Sequence, residues 1–170
     1  MITFITGGIR SGKSRFAQEM ALRLSQAPVY IATARVWDED FRQRVKRHQD
    51  ERGPEWTNYE AYTDLSQLPL QNKVVLIDCV TLWLTNFFMD FQNDLEKSLA
   101  AFRKEIDNIS QLPGTFLIVS NELGMGLHAD TEVGRKFTDL QGWANQYVAA
   151  KAEEAIFMVS GLPLYIKRQD

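Results

Sequence analysis

Ile2-Thr3-Phe4-Ile5-Thr6-Gly7-Gly8-Ile9-Arg10-Ser11-Gly12-Lys13-Ser14 decides how the chain folds. The run 2–5 is apolar, as a buried strand requires, and positions 7–14 fit G-x-x-x-x-G-K-[ST], the phosphate-cradling P-loop pattern. Glycine lets the backbone of Gly7, Gly8, Ile9, Arg10, Ser11 and Gly12 bend so that N–H groups point inward at phosphate oxygens. A helix starting near Lys13 adds the positive end of its dipole. In this pattern Lys13 reaches the β- and γ-phosphates, and the Ser14 hydroxyl ligates the Mg²⁺ that bridges them. A plain glycine-rich turn would not need strand, glycines, Lys-Ser and helix in register. The motif specifies a nucleotide and leaves the reaction open.

Working outward, Phe16, Met20 and Leu24 recur at helical spacing, and Pro28 introduces a β-prone run at 29–33. Strand, loop, helix and strand within about thirty residues make a βαβ unit, so the sheet is expected to be largely parallel. In the charged segment 38–52, Asp38 can cap a helix that carries Phe41, Val45 and His48 one turn apart, and Gly53-Pro54 stops it. Residues 56–62 are aromatic and roughly alternating, a short strand or extended excursion whose pairing the pattern does not fix. The apolar run 73–78 ends in Asp78, the position of a Walker B acid delivered by a buried parallel strand to the metal side of the nucleotide. Helices are expected over 82–91 and 95–109, where the aromatics Trp83, Phe87, Phe88 and Phe91 suit a core or a subunit interface. A strand at 115–120 opens into the loop Asn121-Glu122-Leu123-Gly124-Met125-Gly126. A helix over 134–154 and strands at 155–160 and 164–167 close the chain. The expected architecture is one α/β P-loop NTPase domain, residues 1–170, with a three-layer arrangement about a largely parallel central sheet.

The 170 residues are 45% hydrophobic, with a formal charge of −3 and a pI near 5.5. That balance gives no general attraction for nucleic acid or anionic membrane. The absence of a leader-like start and of a long apolar run predicts a cytoplasmic protein. The single cysteine, Cys79, has no internal disulfide partner and suits a small buried hydrophobe.

Asp78 is followed by Cys79-Val80-Thr81, which lacks the DxxG of a GTPase switch, and Asn72-Lys73 is not continued as the guanine-specifying N-K-x-D. Between Asn121 and Arg135 no arginine is available for a lid over phosphates. A small-molecule P-loop kinase with another closure, or a module that only senses nucleotide, fits these residues alone. His128 suits a ligand contact or a solvated position. Glu122 suits orienting a substrate hydroxyl or holding its own loop, and Arg135 suits stabilising transferred phosphate or an ordinary first helical turn.

Several segments taken together carry a resemblance. They are Gly-Gly-x-Arg-Ser-Gly-Lys-Ser-Arg, Tyr-Ile-Ala-Thr, Arg44-x-x-x-His48-x-x-x-Arg52, Asn-Glu-x-Gly-Met-Gly and Val-Ser-Gly-Leu-Pro. In that order, nearly end to end, they resemble the bifunctional adenosylcobinamide kinase/adenosylcobinamide-phosphate guanylyltransferase family of cobamide biosynthesis. The resemblance implies phosphorylation of the aminopropanol hydroxyl of adenosylcobinamide by ATP or GTP. It further implies transfer of GMP from GTP onto the new phosphate through a guanylylated histidine, matched here by His48. It implies nucleotide contacts at Gly7 through Ser14, at Thr33, Ala34 and Arg35, at Gln49, Asp50, Glu51 and Arg52, at Glu60 and at Asp78. Ser14 and Asp78 are the implied metal ligands, and a homotrimer is the implied assembly. Arg35 stands where some relatives have a short polar residue, and the segment 87–95 is shorter than in some.

The spacing of Arg44, His48 and Arg52 at i, i+4 and i+8 would put one imidazole between two guanidiniums able to bind phosphate oxygens. Nearby positive charge favours the neutral, nucleophilic imidazole and offsets charge developing at an attacked phosphorus. A histidine one turn beyond Phe41 and Val45 also fits simple packing.

Overall fold

The computed structural model describes residues 1–35 and 53–168. The predicted helix over 38–52, and with it Arg44, His48, Gln49, Asp50, Glu51 and Arg52, lies outside the described residues. The strands are β1 (Ile2–Gly7), β2 (Val29–Ala32), β3 (Thr57–Glu60), β4 (Lys73–Asp78), β5 (Gly114–Val119), β6 (Glu154–Val159) and β7 (Leu162–Lys167). Among the described residues the α-helices are α1 (Lys13–Leu24), α2 (Val80–Asp90), α3 (Leu95–Gln111) and α4 (Glu132–Lys151).

The strands form one seven-stranded sheet in the order β3-β2-β4-β5-β1-β6-β7. All neighbours are parallel except β6 and β7, which form an antiparallel hairpin. Period-2 alternation sends side chains to opposite faces, and both faces are covered. Phe4, Val75, Ile77, Phe116 and Ile118 point to the side packed by α2, α3 and α4, where Trp83, Phe102, Ile106, Leu140 and Val148 are buried. Ile5, Leu76, Leu117, Val119 and Ile156 point to the side covered by Ala17 and Ala21 of α1. Trp83 and Phe102 are wholly buried and meet edge to face at 5.1 Å between ring centroids, so truncating either to Ala should cost about 3–5 kcal/mol. Phe87 and Phe88 are also core, whereas Phe91 is 36% exposed.

The excursion after Gly53-Pro54 resolves as β3, pairing parallel to β2 at the sheet edge, with Val29 opposite Thr57 and Ala32 opposite Glu60. One expected boundary is corrected. The last helix ends at Lys151, with the amide of Ala152 bonded to the Val148 carbonyl as its cap, and residue 154 already belongs to β6. The backbone is pulled out of the helix because the Glu153 amide donates to the Ile2 carbonyl and its carboxylate accepts from the Ile2 amide. The β6–β7 turn places Ser160 at φ 51° and Gly161 at φ 82°, the left-handed pair that a two-residue hairpin turn needs.

Because the strands run parallel, their C-terminal ends share one edge of the sheet, where ligands bind in open α/β folds. Cross-strand register puts Asp78 opposite both Ala32 and Val119, and Val119 opposite Ile5. β5 therefore lies between the strand that feeds the glycine loop and the strand that ends in Asp78.

Candidate active site

The glycine loop is fixed from behind. Gly7 has φ 152°, and a Cβ there would fall 2.5 Å from the Met158 carbonyl oxygen; Gly12 has φ 95°, and a Cβ there would fall 3.2 Å from Gly161 Cα. Only glycine fits either place. The loop carbonyls are taken up by named donors: that of Gly7 by the Glu122 amide at 3.0 Å, that of Gly8 by the Ser11 amide at 3.3 Å, and that of Ser11 by the Gly161 amide at 3.0 Å. A loop whose carbonyls are tied down in this way presents its N–H groups to an anion in front. Arg10, at φ 56°, supplies the left-handed step, and Ser11 Oγ is buried without a partner among the described residues.

Lys13 opens α1, and its ammonium reaches back to the Gly8 carbonyl at 2.6 Å. Burial pushes this amine below its ordinary value, a tendency opposed by the nearby Asp78 carboxylate. Placing anionic phosphate against Lys13 would restore its preference for the charged form. Asp78, half-buried at the end of β4, accepts from the Tyr30 hydroxyl at 3.1 Å. Among the described residues no cluster of three or more His, Cys, Asp or Glu could hold a metal ion. A divalent ion between Ser14 and Asp78 would therefore complete its shell with substrate phosphate oxygens and water, the habit of Mg²⁺. One hydroxyl and one carboxylate at a phosphate cradle fit that ion.

Residues 33–35 leave β2 at the same edge. Thr33 is wholly buried, and its hydroxyl donates to the Cys79 carbonyl at 2.8 Å and accepts from the Cys79 amide at 2.9 Å. Ala34 is buried. Arg35 makes a two-pronged ion pair with Asp90 at 2.5 and 2.7 Å and lies 5.8 Å from the Tyr62 ring centroid. This pairing pulls the Asp90 carboxyl below its usual range. Glu60, at the end of β3, is exposed. Thus Gly7 to Ser14, Thr33, Ala34, Arg35, Glu60 and Asp78 all emerge at one sheet edge, while His48 and the 49–52 positions lie outside the described residues.

Glu122 holds its own loop, with Oε1 accepting from the Gly124 amide at 2.7 Å. Arg135 donates to the carbonyls of Ala129 at 3.2 Å and Asp130 at 3.0 Å. His128 is exposed. Three supports escaped sequence reading. Asn86, wholly buried, donates to the carbonyls of Thr33 at 2.7 Å and Tyr62 at 2.8 Å. Asn121 donates to Thr81 Oγ1 at 3.0 Å, tying the end of β5 to the segment after Asp78. Behind it, Asn145 Oδ1 accepts from Ser120 at 2.6 Å and from Gln141 at 2.9 Å, and Asn145 Nδ2 donates to the Asn121 carbonyl at 3.0 Å. Polar residues at buried helix positions 141 and 145 were the only sequence signal of this network.

Solved structures share this architecture at low sequence identity. The chain covers 99% of itself and 87% of a Pyrococcus horikoshii OT3 protein studied as PH0250, at TM-score 0.59 and 6% identity. It matches the P4 protein of bacteriophage phi6, solved in complex with ADP, at TM-score 0.50 and 15% identity, over 95% of this chain and 52% of that one. These likenesses concern the fold alone. In sequence, the bifunctional adenosylcobalamin biosynthesis protein CobP of Pseudomonas aeruginosa is 35% identical over 98% of both chains. The CobU protein of the same description from Escherichia coli K12 is 34% identical over 98% of this chain and 100% of its own. The family model described as "Cobinamide kinase / cobinamide phosphate guanyltransferase" matches residues 3–166. With a P-loop at the sheet edge and that match along nearly its whole length, the chain belongs to the cobinamide kinase / cobinamide phosphate guanyltransferase family, a nucleotide-binding transferase of cobalamin biosynthesis.

Proposed function

We propose that one phosphate cradle serves both reactions and that His48 carries the second. In the kinase step the aminopropanol hydroxyl of adenosylcobinamide attacks the γ-phosphorus of ATP or GTP. An O–P bond forms, the β,γ-bridging bond breaks, the nucleoside diphosphate departs, and the hydroxyl proton passes to solvent. The backbone of Gly7 through Ser14 holds the phosphates, Lys13 offsets charge on the β- and γ-oxygens, and Ser14 and Asp78 would hold Mg²⁺. When bound, that ion neutralises phosphate charge. In the second step neutral His48 attacks the α-phosphorus of GTP and pyrophosphate leaves. A phosphate oxygen of adenosylcobinamide phosphate then takes the GMP group from the histidine, giving adenosyl-GDP-cobinamide.

Nucleotide contacts are assigned to Thr33, Ala34 and Arg35, to Gln49, Asp50, Glu51 and Arg52, and to Glu60. Because the Thr33 hydroxyl and the Arg35 guanidinium are engaged internally, residues 33–35 would act through their backbone. Residues 1–170 work as one cytoplasmic domain, and no helix among the described residues is long and apolar enough to cross a membrane. Copies associate, as a trimer by family likeness, through β7, whose Leu162 and Leu164 share one strand face at 72 and 57% exposure. Sedimentation of a Leu164→Lys variant should show a lighter particle.

The observation that carries the reading is the convergence of the glycine loop, Lys13 and Asp78 at one sheet edge in a chain of this family. Incubation with GTP labelled at the α-phosphorus and Mg²⁺, without corrinoid, should leave an acid-labile, base-stable label on the protein. Peptide mapping should place it on His48, and His48→Ala should lose both label and guanylyltransfer while still phosphorylating cobinamide. Guanylyltransfer that persists in His48→Ala, or label found on His128, would overturn the histidine step.

A further inference from the structure

The loop 122–129 has two sides. One side, through Glu122, Met125 and Gly126, walls a groove of about 560 Å³ whose other walls are the glycine loop at Gly8, Arg10 and Ser11 and the end of β6 from Phe157 to Ser160. The other side, through Leu123, Gly126 and Leu127, walls a second groove of about 400 Å³ completed by Arg135 and Trp143 of α4. Gly126 belongs to both, so the second groove meets the groove beside the glycine loop across a single loop.

This loop shows apolar side chains to solvent: Leu127 is 100% exposed, Met125 76%, Trp143 beside it 43% and Leu123 37%. The loop is anchored while it does so. Its start is tied by the Glu122 amide to Gly7 and by Asn145 to the Asn121 carbonyl. Its end is tied by Arg135 to the carbonyls of Ala129 and Asp130. An anchored loop that displays Leu, Met and Trp is arranged for an apolar partner.

We propose that this second groove docks the corrin ring of the substrate, so that the aminopropanol arm crosses the loop at Gly126 toward the glycine loop. The inference rests on the family's cobinamide chemistry. A corrin is a broad, largely apolar macrocycle rimmed by carboxamides. Trp143 and Leu127 match its face, and the donors of His128 and Gln146, which line the same groove, match amide oxygens on its rim. The ring exceeds the groove, which grips one edge of it.

The test is a pair of variants, Trp143→Ala and Leu127→Ser, both at exposed positions. Equilibrium dialysis with cobinamide should show Kd raised at least tenfold in each. The KM for cobinamide in the kinase assay should rise alike, while the KM for ATP and the melting temperature stay within twofold and within about 2 °C of wild type. A wild-type protein that does not phosphorylate cobinamide would refute the substrate assignment itself. An active wild type with cobinamide Kd unchanged in both variants would refute the docking site alone. A variant that instead shifts the sedimentation of the assembly assigns the patch to a second copy of the chain, which also overturns the proposal.

Discussion

The Tyr30 hydroxyl donates to Oδ2 of Asp78 at 3.1 Å, a bond from β2 to the C-terminal end of its neighbour β4. It fixes which way the carboxylate faces, and it leaves Oδ1 the freer oxygen for a cation. Tyr30→Phe keeps the ring, which packs edge to face on Trp56 with centroids 6.1 Å apart, and removes the hydroxyl that donates to Asp78. One lost hydrogen bond of about 0.5–1.5 kcal/mol should raise the Mg²⁺ concentration for half-maximal kinase activity roughly 2- to 10-fold. Asp78→Asn, which loses the charge itself, should lower kcat at least a hundredfold at saturating metal with little change in melting temperature. A metal titration of both variants decides the matter, and loss of folding in Asp78→Asn with full activity in its folded fraction would make Asp78 structural.

Lys13 gives the site a pH signature. Burial holds its amine below the ordinary value in the free protein, and bound phosphate favours the ammonium. Nucleotide binding therefore takes up a proton once pH exceeds the lowered value. The sign follows: affinity is fully present below that pH and falls as pH rises through it, starting under 10.5. The ATP Kd measured by calorimetry from pH 7 upward should show this decline together with proton uptake in buffers of different ionisation enthalpy. Lys13→Ala should bind at least a hundredfold more weakly at neutral pH, with the alkaline decline gone.

The Arg35–Asp90 pair tests how residues 33–35 act. Their side chains are 32 and 41% exposed, so the pair itself should stabilise the fold by no more than about 1 kcal/mol. Its consequence is positional, holding the end of β2 to the end of α2. Arg35→Ala and Asp90→Asn should therefore weaken nucleotide binding by similar few-fold factors, with little further loss in the double variant. An effect of Arg35→Ala alone would make the guanidinium a direct ligand. Asp90 titrates below its usual value, so the pair is intact above the ordinary carboxylate pKa. It is lost as pH falls through the lowered one, and the two single variants should converge with wild type in acid.

The parts of this molecule that could be read from its sequence are those whose cause is local. Val74 to Ile77 reads as a strand because a strand buried on both faces must be apolar throughout, and Gly7, Gly12 and Lys13 read as a cradle because the conformation leaves few other residues possible. The position of β3 beside β2 was not legible, since Thr57 and Tyr59 would suit either edge of any sheet. Residue 154 reads as helical because Ala149, Ala150 and Ala152 suit a helix locally; what ends it is a bond to Ile2, more than a hundred positions away. The same holds at the site. Asp78 was visible from the run before it, but Tyr30, Asn86 and Asn145 matter only through partners on other elements, and side-chain type at those positions carries no mark of the partner.

Cys79 reports how rigid this edge is. The chain has one cysteine, only 6% exposed, and burial, with the Asp78 carboxylate beside it, pushes its thiol up to about 12. At pH 8 the thiolate fraction is then on the order of 10⁻⁴, and a reagent cannot reach the sulfur without opening the junction of β4 and α2. Native protein should react with a thiol reagent orders of magnitude more slowly than protein unfolded in urea, which should give one thiol per chain. The labelled position also lies one residue from Asp78 and is bonded through its backbone to Thr33. Nucleotide with Mg²⁺ binds the closed form and should slow labelling further, in proportion to 1 + [L]/Kd. The nucleotide Kd obtained from that protection should equal the calorimetric one; fast labelling of the native protein that nucleotide leaves unchanged would show that Cys79 and the phosphate cradle open independently.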